Sequence, residues 1–520
     1  MTTQTSRKSR AATAAWAALA GAVSGGVFLA AAELVALVTA RDAGPILAVG
    51  SFVIDIVPRW AKELAIELFG SNDKLFLLSS LGIAVLVAAA AAGMLELWRR
   101  RLGAALFALA GVAAVVATVT RAGAAPLAFL PSAVGAAAGA VMLTLLIGRL
   151  RRWRHARTDG GREARVDRRR FLLLTSLAAA GAVVAGVGSR LGSAATSSIA
   201  ALRAAVKLPT PRSRVRVPDG ADLAIPGLSP LFTPNSDFYR VDTALTVPSI
   251  DPAAWRLTVD GMIEKRIQLS FQDLLDRGLD EYAVTLTCVS NEVGGNLVGT
   301  ARWLGIPVRD VLALARPRSG ADMVLSRSMD GFTASTPLDA LTDPGRDAIL
   351  AVGMNGEPLP LEHGFPVRMV VPGLYGYVSA TKWLTELKVT TFAADQAYWT
   401  PRGYSAKAPI KLSSRIDTPR VDKPVTAGKT VIAGVAWAQT VGIGLVEVQI
   451  DGGDWQEARL SAPVNADTWV QWSLDWEAAA GSHTLAVRAT DKAGRLQEQR
   501  RAPIAPNGST GWQQTFVRVG

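Results

Sequence analysis

Cysteine is almost missing from this 520-residue chain: Cys288 is the only one. An intrachain disulfide is therefore excluded, and pairing says nothing about the redox compartment. Histidine is scarce too, with His155, His363 and His483 as the full set. None lies in an apolar run, so a bis-histidine haem within the membrane is excluded and no haem is predicted. The chain also lacks a C-x-x-C-H haem attachment, a Walker A loop, a G-x-G-x-x-G turn after a strand, zinc-ligand spacing and a G-x-S-x-G elbow. Acidic residues are outnumbered, 43 against 55 Lys and Arg, for a net charge of +12. Yet residues 1–189 hold 21 Lys and Arg against 10 Asp and Glu, while residues 190–520 hold 34 against 33. The surplus flanks apolar segments, where it reports membrane topology; no nucleic-acid partner is predicted.

What is abundant is hydrophobicity, half of all residues. Four apolar stretches, residues 14–40, 75–97, 102–120 and 127–146, are each long enough for a bilayer core of ~30 Å. Basic clusters at Arg7, Lys8 and Arg10, at Arg99 to Arg101, and ten Arg between Arg149 and Arg170 put the N-terminus inside if all three stay cytoplasmic. The loop 41–74 then faces out; residues 46–57 read as re-entrant or interfacial, and 60–69 as an amphipathic surface helix. Glu33 and Glu96 are candidate intramembrane acids, with Glu96 reading as interfacial beside Trp98 and Arg99. Arg168, Arg169, Arg170, Phe171 and Leu172, followed by the apolar run 173–187, resemble a twin-arginine export signal; a fifth span with ordinary basic flanks is the alternative. Both place the following chain outside. Ser193-Ala194-Ala195 is a weak cleavage candidate, and the segment is expected to remain as an anchor.

Residues 197–216 read as a helical or irregular linker, with globular structure beginning near Val217. Strands at 255–259 and 367–371 and helices at 270–277 and 308–314 predict an α+β domain. From about Pro409 the pattern turns all-β, with Val-, Ile-, Thr- and Trp-rich runs at 430–437, 445–450, 469–475 and 483–489, the spacing of an immunoglobulin-like β-sandwich. The organisation predicted is therefore an α-helical transmembrane bundle (1–150), a basic loop, anchor span and linker (151–216), an α+β domain (217–405) and a β-sandwich (406–520). Within the α+β domain, residues 284–287 alternate as a strand, and Asn291, Gly294 and Gly295 read as the turn that ends it. One thiol at a strand end beside a Gly-rich loop fits a metal thiolate, while a buried Cys packing as a small hydrophobe is the alternative.

Several ordered motifs resemble the sulfite oxidase family of molybdopterin-dependent oxidoreductases over roughly residues 233–519. They are Thr-Pro-Asn-Ser-Asp-Phe-Tyr-Arg (233–240), Leu286-Thr287-Cys288 with Asn291, Ala301-Arg302-Trp303, Met354-Asn355-Gly356-Glu357-Pro358, His363-Gly364-Phe365-Pro366-Val367-Arg368, and Lys382-Trp383-Leu384. The terminal sandwich resembles the family's dimerisation domain through Gly434-Val435-Ala436-Trp437 and Asp451-Gly452-Gly453, which implies a homodimer. The resemblance implies an α+β molybdopterin domain with Cys288 as the molybdenum ligand and Arg240 beside it at the catalytic centre. Cofactor contacts fall on Tyr239, Arg240, Asn291, Ser328, His363 (as a donor), Arg368, Ser379, Thr381 and Lys382, with Gly373 and Gly376 allowing close backbone approach. Ser379-Ala380-Thr381-Lys382-Trp383 is one residue longer than the family's S-V-K-W, which leaves two registers for the phosphate contacts.

Other departures bear on substrate. Where sulfite oxidases carry two arginines after C-x-x-N this chain has Glu292 and Val293, where they carry a tyrosine after Asp-Gly it has Phe332, and Asp242 stands where the family has a histidine. Less cationic field means less hold on a dianion. The expected activity is two-electron oxygen-atom transfer on a small substrate, an S-oxide or N-oxide before sulfite, outside the cytoplasm at a multi-pass membrane anchor. A separate cytochrome or quinone would exchange the electrons. Two alternatives are a non-catalytic pterin- or ligand-binding sensor, and a functional membrane domain, transporter or quinone site, that the molybdo-domain regulates.

Overall fold

The computed structural model describes residues 2–39, 44–57, 73–120, 127–156, 162–192, 195–421, 423 and 425–520. The surface helix expected at 60–69 and most of the cleavage candidate at 193–195 lie outside these. The chain divides into two compact units, Met1–Ser198 with Ala244–Thr246, and Ile199–Thr243 with Val247–Gly520.

The first unit is helical: α1 (Thr2–Thr39), α2 (Pro45–Ile56), α3 (Asp73–Trp98), α4 (Leu102–Val119), α5 (Leu130–Ala156) and α6 (Arg162–Gly192). Among the described residues four helices are long and apolar enough to cross a membrane: Ala11–Thr39, Phe76–Trp98, Leu102–Val119 and Leu130–Ala156. The stretch expected at 46–57 is covered by α2, a single 12-residue helix that ends at Ile56. Helix α1 packs against α3, α5 and α6. Small residues permit the approach, since a Cβ on Gly21 or Gly93 would collide with the backbone of Ala89 or Ala17 across the α1/α3 contact. Glu96 proves to be a cap: its carboxylate accepts from the backbone N–H of Arg101 at 2.9 Å and of Ala104 at 3.2 Å, satisfying donors at the start of α4. Phe171 is fully buried, with its ring 6.0 Å from Trp16 and 5.9 Å from Trp153.

Packing of the second unit begins upstream of Val217. Helix α7 (Ala195–Ala205) contributes Ile199 to a core shared with Phe238, Leu286 and Trp303, and Arg203 pairs with Glu357 at 2.7 Å. The mixed domain then runs β1 (Arg256–Gly261), β2 (Ile267–Ser270), α8 (Phe271–Leu275), β3 (Asp280–Thr287), β4 (Val298–Pro307), α9 (Val308–Ala315), β5 (Met323–Ser328), β6 (Thr333–Pro337), α10 (Leu338–Thr342), β7 (Ile349–Met354), β8 (Glu357–Pro358), β9 (Arg368–Val370), α11 (Gly376–Ser379) and β10 (Leu384–Thr390). One sheet has the order β2-β1-β10-β5-β6; the other runs β3-β4-β7-β8, with β9 also paired to β7. Helix α8 starts at a capping box in which the Ser270 hydroxyl accepts from Asp273 N–H and the Asp273 carboxylate accepts from Ser270 N–H. The β3–β4 register pairs Thr287 with Val298, so Cys288 leaves the sheet at the first residue past the ladder.

Strands β11 (Ser413–Thr418), β12 (Gly428–Trp437), β13 (Ile443–Ile450), β14 (Trp455–Glu457), β15 (Arg459–Leu460), β16 (Val470–Ala478), β17 (Gly481–Asp491) and β18 (Gln513–Val519) follow. They form two four-stranded antiparallel sheets, β11-β12-β16-β15 and β14-β13-β17-β18, around a common core that includes Trp472, Val446 and Leu485. This all-β part belongs to the same compact unit and grips β3 directly. Thr285 N–H donates to Asp467 O at 2.9 Å, Trp469 N–H to Thr285 Oγ1 at 2.8 Å, and the Gln439 side-chain amide to Thr285 O.

Candidate molybdopterin site

Cys288 lines a cavity in the mixed domain, 8% exposed, and its Sγ accepts a hydrogen bond from Ser290 N–H at 3.4 Å. The loop that follows is tied down on both sides. Asn291 Oδ1 accepts from Leu297 N–H at 2.8 Å, Ser509 Oγ donates to Asn291 O at 2.7 Å, and Arg415 Nη1 donates to Gly295 O at 2.8 Å. Burial pushes the Cys288 thiol up, with the Ser290 amide and the charge of Lys382 acting against it.

Two cations share the cavity wall. Lys382 donates through Nζ to Asp242 Oδ2 at 2.7 Å and to Glu362 O at 3.1 Å; burial lowers it to about 8 although Asp242 acts the other way. Arg368 donates to His363 O at 3.1 Å, stacks 5.0 Å from the Trp303 ring centroid, and is lowered to about 10 by burial. His363 is brought to about 4, again by burial with Arg368 adding to it, and so is neutral at pH 7. Its Nε2 lies 3.1 Å from Asn235 O, an acceptor only, which assigns the proton to Nε2 and leaves Nδ1 an acceptor. Through Nε2 the ring is thus already engaged with the backbone of Asn235. Tyr239 also lines the cavity, and burial holds its phenol well above the usual range, keeping it protonated.

Residues 244–399 match the family model described as the oxidoreductase molybdopterin binding domain. Rat mitochondrial sulfite oxidase is 33% identical, over 55% of this chain and 61% of its own length. An inducible NADH nitrate reductase of Glycine max is 28% identical, over 47% of this chain and 35% of its own. Among solved structures, the sulfane dehydrogenase SoxCD from Paracoccus pantotrophus shares the fold, with TM-score 0.50 and 24% identity over 57% of this chain and 82% of that one. The chain carries an oxidoreductase molybdopterin binding domain, similar to that of sulfite oxidases. It spans about 61% of the length of the sulfite oxidase it matches.

The residues of this molybdopterin binding domain fit the cofactor chemically. A buried thiol that metal binding would deprotonate, two buried cations for a phosphate, and a neutral imidazole occupy one cavity. Cys288, Tyr239, Ser328, His363, Arg368 and Lys382 line it, as does Gly376. Four other expected residues do not. Arg240 is largely exposed and pairs with Asp242 at 2.9 Å. Asn291 holds the loop, as described. Ser379 donates to Leu374 O and Tyr375 O at 3.1 and 3.0 Å, and Thr381 bonds Ser326 Oγ at 2.7 Å, so both hydroxyls already serve the protein backbone or its neighbours. Gly373 needs its positive φ of 78° and leaves room only for Thr440, because a Cβ there would come 2.9 Å from Thr440 Cγ2. Glu292 is exposed, and neither it nor Val293 lines the cavity.

Sequence reasoning did not assign Asp330, Tyr377, Trp399 and Tyr404 to the site, although all four line it, as does Asp242. The aromatic-rich run Tyr398-Trp399-Thr400-Pro401-Arg402-Gly403-Tyr404 was the legible signal for two of them.

Proposed function

We propose that the chain is a membrane-anchored, molybdenum-dependent oxidoreductase carrying out two-electron oxygen-atom transfer on a small S-oxide, N-oxide or sulfite-like substrate outside the cytoplasm. The observation that carries this reading is the opening of the Cys288 thiol into the same cavity as Arg368, Lys382 and His363. Bound molybdopterin supplies the redox-active metal and the sulfur ligands for oxygen exchange. The remaining work falls to the chain. Burial favours the neutral Cys288 thiol, so its proton would pass to solvent only as a metal binds the sulfur, and no uncompensated anion is buried beforehand. Arg368 and Lys382 supply charge for the phosphate, which requires Lys382 to exchange its contact with Asp242 or to share it. His363 and Tyr239, which line the same cavity, would contact the pterin.

The anchor comprises the four apolar helices and α6, with the basic clusters in the cytoplasm. The burial of Phe171 against Trp16 and Trp153 supports reading α6 as packed with the other anchor helices. With only three histidines and no C-x-x-C-H sequence, electrons pass to or from a separate cytochrome or quinone. The C-terminal part is read as an immunoglobulin-like module that dimerises.

Cys288→Ser tests the assignment. The near-isosteric change is expected to leave the thermal midpoint within about 2 °C while turnover with a reduced dye drops to below about 1%. A variant as active as the parent overturns the assignment of the metal ligand.

A further inference from the structure

One carboxylate oxygen serves two cations beside the Cys288 cavity. Asp242 Oδ2 accepts from Lys382 Nζ at 2.7 Å and from Arg240 Nε at 2.9 Å, and both Asp242 and Lys382 line the cavity. The lysine and aspartate side chains are 10% and 4% exposed, whereas that of Arg240 is 40% exposed. The two partners differ in how their backbone is held. On either side of Lys382, Thr381 O accepts from Met369 N–H at 2.9 Å and Leu384 N–H donates to Val367 O at 3.0 Å. Lys382 Nζ also donates to Glu362 O at 3.1 Å and lies 4.6 Å from the Trp383 ring centroid. Asp242 stands instead on residues 239–243, which carry neither helix nor strand. The carboxylate is therefore the partner that can give way, and Arg240, two residues before it, travels on the same segment.

Resting on the cofactor reading above, we infer that Asp242 is a resident counter-ion that holds the place of the cofactor phosphate on Lys382 in the unloaded chain, and that Arg240 and Asp242 move off as a pair when the phosphate binds. Charge balance favours such an exchange. A buried cation or carboxylate left alone is costly. Before the exchange Asp242 neutralises Lys382; after it the phosphate does, and Asp242 keeps Arg240. Asp242 is thus a positioning residue. It holds the lysine in place and sets the affinity of the phosphate seat, because apparent affinity is reduced by the fraction of chains in which the seat is already taken. Removing the carboxylate lifts that reduction. Removing Arg240 deepens it, since the displaced carboxylate then has lost the cation that travels with it.

The test uses the full-length chain purified without cofactor, with inorganic phosphate as the probe and calorimetry as the readout. Asp242→Asn keeps the shape and removes the charge, and the dissociation constant for phosphate is expected to fall by about tenfold. Arg240→Gln changes a more exposed side chain, so it tests the exchange even if the first variant folds poorly; it should raise the constant by about threefold. The double variant should match Asp242→Asn alone, because Arg240 acts through the carboxylate. Lys382→Gln should remove phosphate binding. A carboxylate with a merely structural role predicts the opposite sign, weaker binding in Asp242→Asn. Unchanged or weaker binding in that variant, a double variant weaker than it, or parental binding in Lys382→Gln overturns the exchange. Pterin content of the chain purified from a host that makes molybdopterin separates the two readings: pterin present with an insensitive Asp242 leaves the cofactor reading in place, and no pterin overturns both.

Discussion

Burial sets the protonation of the groups that matter most at the residue scale. His363 is held at about 4, below its ordinary value near 6.5, because the charged ring would lose hydration next to Arg368. An unfolded chain therefore binds more protons at His363 between about pH 6.5 and 4, so stability rises with pH across that window and is lost as pH falls through it. The contribution is on the order of 3 kcal/mol at most. Cofactor-free protein should show its thermal midpoint falling as pH drops from 6.5 to 4, and His363→Asn should flatten that segment of the profile; an unaltered slope in the variant refutes the assignment. Lys382 has the complementary pattern. Burial lowers it to about 8, so the folded state disfavours its charge below that value, and stability from this group rises between about 8 and its unfolded pKa. A phosphate beside it would offset that burial cost, which is a physical reason for the cation to sit in a cofactor cavity at all.

At the scale of elements, β3 is the part on which the site depends, because Cys288 is the first residue beyond its pairing with β4. The all-β half of the unit holds this strand through Thr285. The Thr285 hydroxyl accepts from Trp469 N–H at 2.8 Å and lies 2.5 Å from Thr300 Oγ1. Thr285→Val keeps the shape but strands the buried Trp469 amide and the Thr300 hydroxyl, at a cost of about 2–3 kcal/mol. The expected result is a thermal midpoint lower by roughly 5 °C, faster hydrogen exchange along Asp280–Thr287, and reduced molybdenum content in the purified protein. Unchanged exchange on that strand would show that the terminal sheets do not position it. The interior of those sheets is equally intolerant at Gly434, where a Cβ would collide with Arg415 O and come 2.8 Å from Trp472 Cζ2.

For the molecule as a whole, the net positive charge lies in residues 1–189, with 21 Lys and Arg against 10 Asp and Glu, while the remainder is close to neutral, which is the basis of the proposed topology. If Arg168 and Arg169 act as an export signal, replacing both with Lys preserves charge yet should leave residues 199–520 protected from protease added outside spheroplasts of a bacterial host. The unsubstituted chain should be cleaved there. Equal accessibility of both forms would instead make α6 an ordinary fifth span with positive-inside flanks.

Periodicity and composition were enough to reveal the apolar spans, the α+β region and the all-β end, because hydrophobic patterning and turn residues are local properties. The ordered motifs around Cys288, His363 and Lys382 likewise marked a molybdopterin domain from the chain alone. Local signals could not show that Asn291 and Thr381 serve the protein's own scaffold, since that depends on Ser509 and Ser326, far away in the chain. Nor could they show that His363 Nε2 is engaged by Asn235 O, or that Glu292 and Val293 stay outside the cavity while Asp330, Trp399 and Tyr404 line it. Which hydroxyls are engaged and which rings share a wall is decided by long-range packing, and only the folded chain brings residues 239 to 404 around one thiol.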